Sequence, residues 1–556
     1  MDDLKKLIQD TCHQLFNLEI EPELSRPDEK FGDYATNIAL QLANQPNTTT
    51  TNPREIADQI VANLKTDNIL SLEVAGPGFI NIRLTDQALL NNISRSNQKT
   101  LAGKVVVAEY SDPNPFKILH AGHLYTTLVG NTVANLLEVA GADVKRVNFG
   151  GDVGLHVARA MWAISRKIGD SDAESFLNNL PANSRPEWIS QCYVEGNTAY
   201  ENDETAKNEI IALNKRIYEL HTNGDKTSNF AKTYWICRQW SYDGFEELYR
   251  NLGVKPFDKY YPESSTTQLG IDSVNKLLEQ GVLEKSDGAV VYRGEKDGLH
   301  TRVFINSNGL PTYEAKDLGL AITKWQDYHF DKSIMITANE ISEYMKVVLK
   351  VVEALDPEIA KRSTHLTHGM ILMVGGQKMS SRTGKALLAQ DVLAAAAEAN
   401  LKATGKIDNS VVIGAVKYAF LKNRIGGDLI YDPVESVSLE GNSGPYLQYA
   451  HARARSILRK KAPKDNLPDG LDPGERSLVL KITEYSEVVD KAVQDLMPHH
   501  ICSYLYELAQ IFNRFYENNR VIDDAREEQR LQLVRSYADT LKNGLELLGI
   551  SAPEQM

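Results

Sequence analysis

Residues 109–123 concentrate the side chains with the most chemistry to offer. Glu109, Ser111, Asn114, Lys117, His120 and His123 fall in one short stretch, with Gly122 between the histidines. From His120 onward Leu124, Leu128, Val133, Leu136, Leu137 and Ala140 share one helical face, and Gly141 stops the pattern. A helix start presents free backbone N–H groups and the positive end of the dipole, which suits phosphate. His120 and His123 can donate further hydrogen bonds to phosphate oxygens, and Gly122 leaves room for a planar ligand against the backbone. A strand–helix crossover with incidental histidines would show the same tetrapeptide. The choice rests on a second phosphate-binding element elsewhere.

The elements that must position these groups can be read outward from them. Residues 104–108 are apolar and β-branched, as in a buried parallel strand. Pro113 and Pro115 then force a loop. A second strand over 144–149 ends in the glycine-rich Gly150-Gly151-Asp152-Val153-Gly154, and a helix over 156–167 follows. Strands are expected over 288–292, 301–304 and 333–337, the last ending at Ala338-Asn339-Glu340. A helix beginning at Thr312 puts Tyr313 and Asp317 on one face. The apolar part of 365–374 is a further strand. It leads into Gly375 to Lys385, a basic Gly/Ser loop that either closes over phosphates or is plain solvated surface. His365 and His368 lack a third ligand, and no metal site is assigned. Strands alternating with helices from Lys104 onward give an α/β class.

The chain has 556 residues, enough for several domains at about 150 residues each. Its 42% hydrophobic and 24% charged content is ordinary for a globular protein. No run of about 18 apolar residues appears and the N-terminus lacks a signal-peptide core, so no membrane span is expected. The cysteines (Cys12, Cys192, Cys237, Cys502) form no pair with metal-site spacing and fit a reducing cytoplasm. A net charge of −13 argues against indiscriminate nucleic-acid binding but leaves room for a local basic groove. Residues 1–98 read as a small α+β unit with two strands about a Gly-Pro-Gly turn, and 94–100 as a linker. Residues 170–255 are polar and helical with no obvious chemistry and read as an insertion. After Gln390 the chain is nearly all helical, and 451–461 concentrates Arg453, Arg455 and other cations, either a solvated face or an RNA contact.

His120-Ala121-Gly122-His123 resembles the HIGH signature of class I aminoacyl-tRNA synthetases, and Lys378-Met379-Ser380-Ser381-Arg382 resembles their KMSKS signature. The finer resemblance, over essentially the whole chain, is to arginyl-tRNA synthetases. Phe31-Gly32-Asp33-Tyr34 and Pro77-Gly78-Phe79-Ile80-Asn81 look like that family's additional N-terminal domain. Gly444-Pro445-Tyr446-Leu447-Gln448-Tyr449-Ala450-His451-Ala452-Arg453 is similar to the start of its DALR-type anticodon-binding domain, and Asn543-Gly544-Leu545-Glu546-Leu547-Leu548-Gly549-Ile550 to its end.

The resemblance implies a Rossmann-type parallel-sheet catalytic domain (99–390, with a helical insertion over about 165–300). It adds an N-terminal α+β tRNA-binding domain (1–98), a helical connecting segment (391–440) and a C-terminal all-α bundle (441–556). It implies ATP as substrate with accompanying Mg²⁺, no tightly bound cofactor, L-arginine and tRNA(Arg) as partners, no DNA or membrane partner, a monomer and a cytoplasmic location. Lys117, His120, His123 and Lys378 carry over as catalytic. Gly122, Leu124, Gly151, Asp152, His368, Met370, Met379 and Ser380 carry over to ATP, the 368–370 strand through its backbone. Glu109, Ser111, Asn114, Tyr313, Asp317 and Asn339 carry over to arginine. Phe79, Asn81, Tyr446, Gln448, His451, Arg453 and Arg455 carry over to tRNA. Ser381 stands where the signature has its second lysine; arginyl enzymes often carry a lysine just before the HIGH motif instead, where Lys117 stands. Val153 replaces a more frequent tryptophan. A coenzyme-adenylylating nucleotidyltransferase would explain the histidine helix but not the two ends of the chain. Intact His120, His123, Lys378 and Asp317 argue against a non-catalytic RNA-binding paralogue.

Overall fold

A computed structural model describes residues 2–45, 51–93, 97, 99–374, 387–464 and 470–556. At its centre is a five-stranded parallel sheet in the order Ser363–His368, Lys332–Ala338, Val105–Glu109, Asp143–Gly150, Lys259–Pro262. The first strand in sequence therefore lies in the middle, and the sheet grows to one side and then to the other. The reversal falls between Val105–Glu109 and Lys332–Ala338, where the carboxyl ends of the strands leave a crevice. The alternating pleat sends Val106 and Ala108 into one apolar core and Val107 into another. The first core is shared with the Ala121–Val139 helix and the C-terminal helices, the second with Leu318, Val347 and Val351.

Two sequence boundaries need correction. The insertion does not run from 165 to 300. Lys259–Pro262 is the edge strand of the central sheet, paired with the preceding strand from Val147↔Lys259 to Gly150↔Pro262. It is short, half-exposed and ends in proline, which suits an edge and hides it from a search for apolar runs. The inserted helices are Ala173–Asn178, Arg185–Asn202, Glu204–Asn223 and Asn229–Asn251, around a core of their own that includes Met161, Ile164, Cys192, Tyr234 and Cys237. The connecting segment 391–440 is not wholly helical either: Leu429–Tyr431 pairs in parallel with Ile371–Met373.

The N-terminal unit is a four-stranded antiparallel sheet, Leu24–Ser25, Tyr34–Thr36, Phe79–Leu84, Ile69–Ala75, with helices on it. It docks on the C-terminal helices through ion pairs. Arg26 forks onto Glu487 at 2.7 and 2.8 Å, and Arg476 reaches Asp33 at 2.7 Å and also Asp86. The last helix, Glu527–Leu547, ends against the catalytic domain. Asn135 donates to the Leu547 carbonyl at 3.1 Å, and the buried Lys417 ammonium donates to the Gly549 carbonyl. Among the described residues no helix is long and apolar enough to cross a membrane.

Candidate active site

The loop after Val105–Glu109 is strained and pinned. Ser111, Asp112 and Phe116 have φ of 76°, 48° and 67°, a region that side-chain-bearing residues seldom occupy. Each is held by a hydrogen bond. The Ser111 hydroxyl lies 2.7 Å from the Tyr249 hydroxyl and accepts from Thr127 at 2.7 Å. Asp112 accepts the Phe149 N–H at 2.8 Å, and the Phe116 N–H donates to Ser241 at 3.0 Å. Asn114 accepts the Gly151 N–H at 2.9 Å, joining this loop to the glycine-rich one. Backbone strain held by so many contacts is a mark of a functional site.

His120 caps the Ala121–Val139 helix, and its backbone N–H donates to His123 Nδ1 at 3.3 Å. The two imidazoles stack with centroids 3.7 Å apart. Desolvation, with Lys117 close by, lowers the pKa of His120; burial, His120 and Lys117 drive that of His123 well below its ordinary value. Both rings are therefore neutral at pH 7, each with one N–H to give.

The crevice beside them is acidic at depth. Glu109 is buried and paired with the buried Lys324, which also reaches the Ser333 hydroxyl at 3.3 Å. Asp317 accepts a hydrogen bond from Tyr344. Burial pushes its carboxyl up to about 8; the Tyr344 hydrogen bond opposes the shift, while Glu109 and Glu263 add to it. Tyr313, on the same helix face, is half-exposed, and Asn339 is exposed. Beneath Gly151, Glu263 pairs with Lys316 at 2.5 Å, both almost fully buried. Lys316 also lies 5.1 Å from the Tyr313 ring centroid and 5.7 Å from that of Tyr218.

Lys324, Tyr344, Glu263, Lys316 and Tyr218 are absent from the sequence reading. All five lie on helices whose surface positions carry many charges. Only the fold turns these particular ones inward.

Several expected contacts are not available in this structure. Leu124 is buried in the core beneath its helix, so it cannot face a ligand. Asp152 is fully buried as a clamp. It accepts from Ser264 N at 2.9 Å, Ser264 Oγ at 2.8 Å and Arg238 Nε at 3.0 Å, which ties the glycine loop to the insertion and to the helix after the edge strand rather than to ATP. The His368 ring is tied to Thr126 Oγ1 at 2.7 Å and the Gly369 carbonyl at 2.8 Å, which bears on its side chain and not on the backbone contact expected of it. Met370's N–H is taken by Asp428 at 2.8 Å and its carbonyl by Leu429 N at 2.7 Å, so its backbone is already paired. Gln448 and His451 are buried against the C-terminal segment, with bonds to the Ser551 carbonyl at 3.0 Å and the Pro553 carbonyl at 2.9 Å, and offer no surface to RNA. Asn81 is buried while Phe79 is exposed. Tyr446 accepts from Asn513 at 2.9 Å, Arg453 lies 4.7 Å from the Tyr516 ring centroid, and Arg455 pairs with Glu554 at 2.7 Å. Lys378, Met379 and Ser380 lie outside the described residues.

Comparison with known proteins matches this arrangement from end to end. A family model for the arginyl tRNA synthetase N terminal domain matches residues 2–84. One for the class I (R) tRNA synthetase catalytic domain matches 85–432, and one for the DALR anticodon binding domain matches 447–556. The arginine–tRNA ligase of Flavobacterium psychrophilum is 30% identical, covering 100% of this chain and 99% of that protein. That of Porphyromonas gingivalis is 29% identical over 97% and 96%. The solved arginyl-tRNA synthetase of Thermus thermophilus superposes with a TM-score of 0.80 at 25% identity over 100% of both chains. The Plasmodium falciparum structure, at 20% identity and a TM-score of 0.79, shares the fold. With a central sheet that reverses beside Glu109 and three domain matches in order along it, the chain belongs to the arginyl-tRNA synthetase family.

Proposed function

We propose that the chain joins L-arginine to tRNA(Arg) at the expense of ATP, with the residues above in the following roles. The arginine carboxylate attacks the α-phosphorus of ATP, and the bond to the β-phosphate breaks to release pyrophosphate. The 2′-hydroxyl of the terminal adenosine of tRNA then attacks the acyl carbon, and AMP leaves. Both steps depend on alignment and charge stabilisation more than on covalent help from the protein. Neutral His120 and His123 donate to the phosphates, and Lys117 brings positive charge to them. Lys378 is assigned the same task from the signature alone. Magnesium arrives with ATP as part of the substrate. Glu109 and Asp317 face the guanidinium, whose planar set of donors suits paired carboxylates. Asn114 and Asn339 serve the amino and carboxylate end of arginine, whereas the expected Ser111 is buried with its hydroxyl taken by Tyr249 and Thr127; Gly122 and Gly151 lie along the nucleotide. Phe79, Arg453 and Arg455 remain as surface groups for tRNA. The resemblance extends this to a cytoplasmic monomer.

The observation that carries the reading is the buried, partly neutralised acidic cluster of Glu109, Lys324, Asp317 and Tyr344 at the end of the central strand whose loop leads into the His120–His123 helix start. A site of this kind rejects a neutral isostere by roughly 10⁴-fold, because buried polar groups are left unpaired. The test is ATP–pyrophosphate exchange with arginine or citrulline, with and without tRNA(Arg). Exchange is expected with arginine and tRNA only. Exchange with arginine alone would remove the tRNA requirement, and equal exchange with citrulline would remove the guanidinium assignment.

A further inference from the structure

We infer that Tyr193, from the helical insertion, is a positioning residue that holds Lys117 for the phosphates without neutralising it. The Lys117 ammonium lies 5.0 Å from the centroid of the Tyr193 ring. Among the described residues it makes no ion pair, in contrast to the two other lysines of the crevice. Lys316 is paired with Glu263 and Lys324 with Glu109. A carboxylate partner would cancel the charge that Lys117 must bring to a polyphosphate. A ring face attracts the ammonium through its quadrupole, leaves the charge whole, and lets it go when a stronger anion arrives.

The insertion is built to deliver that ring. Tyr193 sits on the Arg185–Asn202 helix, which packs against the Leu155–Ile168 helix following the glycine-rich loop. Three residues on, Gly196 abuts the Arg159 carbonyl so closely that a Cβ there would overlap it. The Arg159 side chain also grips the same helix, with hydrogen bonds to Asn197 at 2.5 Å and Glu201 at 3.3 Å and its guanidinium 4.1 Å from the Tyr200 ring centroid. The helix is thus fixed at backbone distance from the catalytic domain one turn from Tyr193. Phe116, at φ 67°, turns the loop immediately before Lys117, and its ring packs 5.6 Å from Tyr234 of the insertion. Both sides of the Lys117–Tyr193 contact are therefore held by the insertion, a segment whose sequence suggests no chemistry.

This inference rests on the assignment of Lys117 to ATP, and the experiment separates the two. Tyr193→Phe, Tyr193→Leu and Lys117→Ala, with the Lys117→Ala/Tyr193→Leu pair, are compared by arginine-dependent ATP–pyrophosphate exchange with tRNA. ATP affinity is measured by calorimetry, which needs no turnover. Tyr193→Phe keeps the ring and is expected to stay within about twofold of the parent. Tyr193→Leu is expected to lose about two- to thirty-fold in kcat/KM for ATP, the range of a cation–π contact. The same change in the Lys117→Ala background is expected to cost nothing more. An equal loss in that background, or a loss with Tyr193→Phe matching that with Tyr193→Leu, overturns the inference while leaving the assignment of Lys117 standing. Full activity of Lys117→Ala, or no exchange by the parent chain, overturns both.

Discussion

Ala389 donates its backbone N–H to the Leu119 carbonyl at 2.9 Å, immediately before His120. The Ala121 N–H returns a bond to the Leu387 carbonyl at 2.8 Å, and His120 bridges Leu388 between them. Leu387, Leu388 and Ala389 are thus stitched to the start of the histidine helix. Proline can isolate one stitch. Ala389 is the first residue of the Ala389–Thr404 helix, and Leu388 before it is extended at φ −80° and ψ 154°, so the helical position and the residue before it suit an Ala389→Pro change. The ring Cδ would stand where the N–H now points, against the Leu119 carbonyl oxygen, so the change also pushes that carbonyl away. The lost hydrogen bond alone is worth about 0.5–1.5 kcal/mol, and with the displaced carbonyl exchange is expected to slow by at least two- to ten-fold. Thermal unfolding should shift down modestly, without loss of the folded state. Unchanged exchange would show that the ladder does not position the helix start.

Arginine binding should release a proton. The carboxyl of Asp317 is pushed up to about 8 in the free site, chiefly by burial. A guanidinium beside it favours the ionised form, so the group gives up most of one proton on binding at pH 7. The sign follows: affinity for arginine rises as pH climbs toward 8, by up to about tenfold per unit, and levels off above it. Calorimetry in buffers of differing ionisation enthalpy measures the proton count directly. In Asp317→Asn the release should disappear along with most of the affinity. Proton uptake, or affinity that falls between pH 6 and 8, would contradict this.

Glu109 and Lys324 form a buried pair, their side chains 5% and 3% exposed. Removing one partner leaves an uncompensated charge in the core and costs about 3–5 kcal/mol, whereas replacing both with similar neutral groups can be nearly neutral. Lys324→Met should therefore lower the melting temperature clearly, and adding Glu109→Gln should restore most of it. Neither variant should recover exchange with arginine, because the carboxylate that meets the guanidinium is either displaced or gone. A double variant melting as low as the single one would show that the lysine matters for packing rather than for charge.

The parts of the fold with strong local signals were legible. The run at 104–108, the proline-broken loop and the helix from His120 are all where their sequence pattern puts them. Tyr313 and Asp317 do share a helix face at the crevice. What stayed hidden depends on contacts distant in sequence. Lys324 looks like any helical lysine until Lys332–Ala338 pairs beside Val105–Glu109 and turns it toward Glu109. Asp152 reads as a ligand group in a glycine loop, but the Ser264 and Arg238 that consume it come from more than 80 residues away. The strand Lys259–Pro262 has too few apolar residues to announce itself.

Gly122 separates two explanations for one residue. The sequence suggests that it makes room for a planar base. The structure adds a second claimant, because a Cβ on Gly122 would lie 2.9 Å from Cε1 and Nδ1 of the His120 ring. His120 is exposed, so its imidazole can swing away, and Gly122→Ala should leave the fold intact. Its cost should fall on catalysis instead, because a displaced ring no longer donates to the phosphates. General acid–base and hydrogen-bonding groups of this kind contribute about 10²-fold or more to rate, so a drop of at least tenfold in exchange is expected. If the ring is the cause, kcat falls and Gly122→Ala adds nothing in a His120→Ala background. If the base is the cause, KM for ATP rises and the loss persists in that background. An alanine variant with unaltered kcat and KM would mean that neither the ring nor the base needs the space.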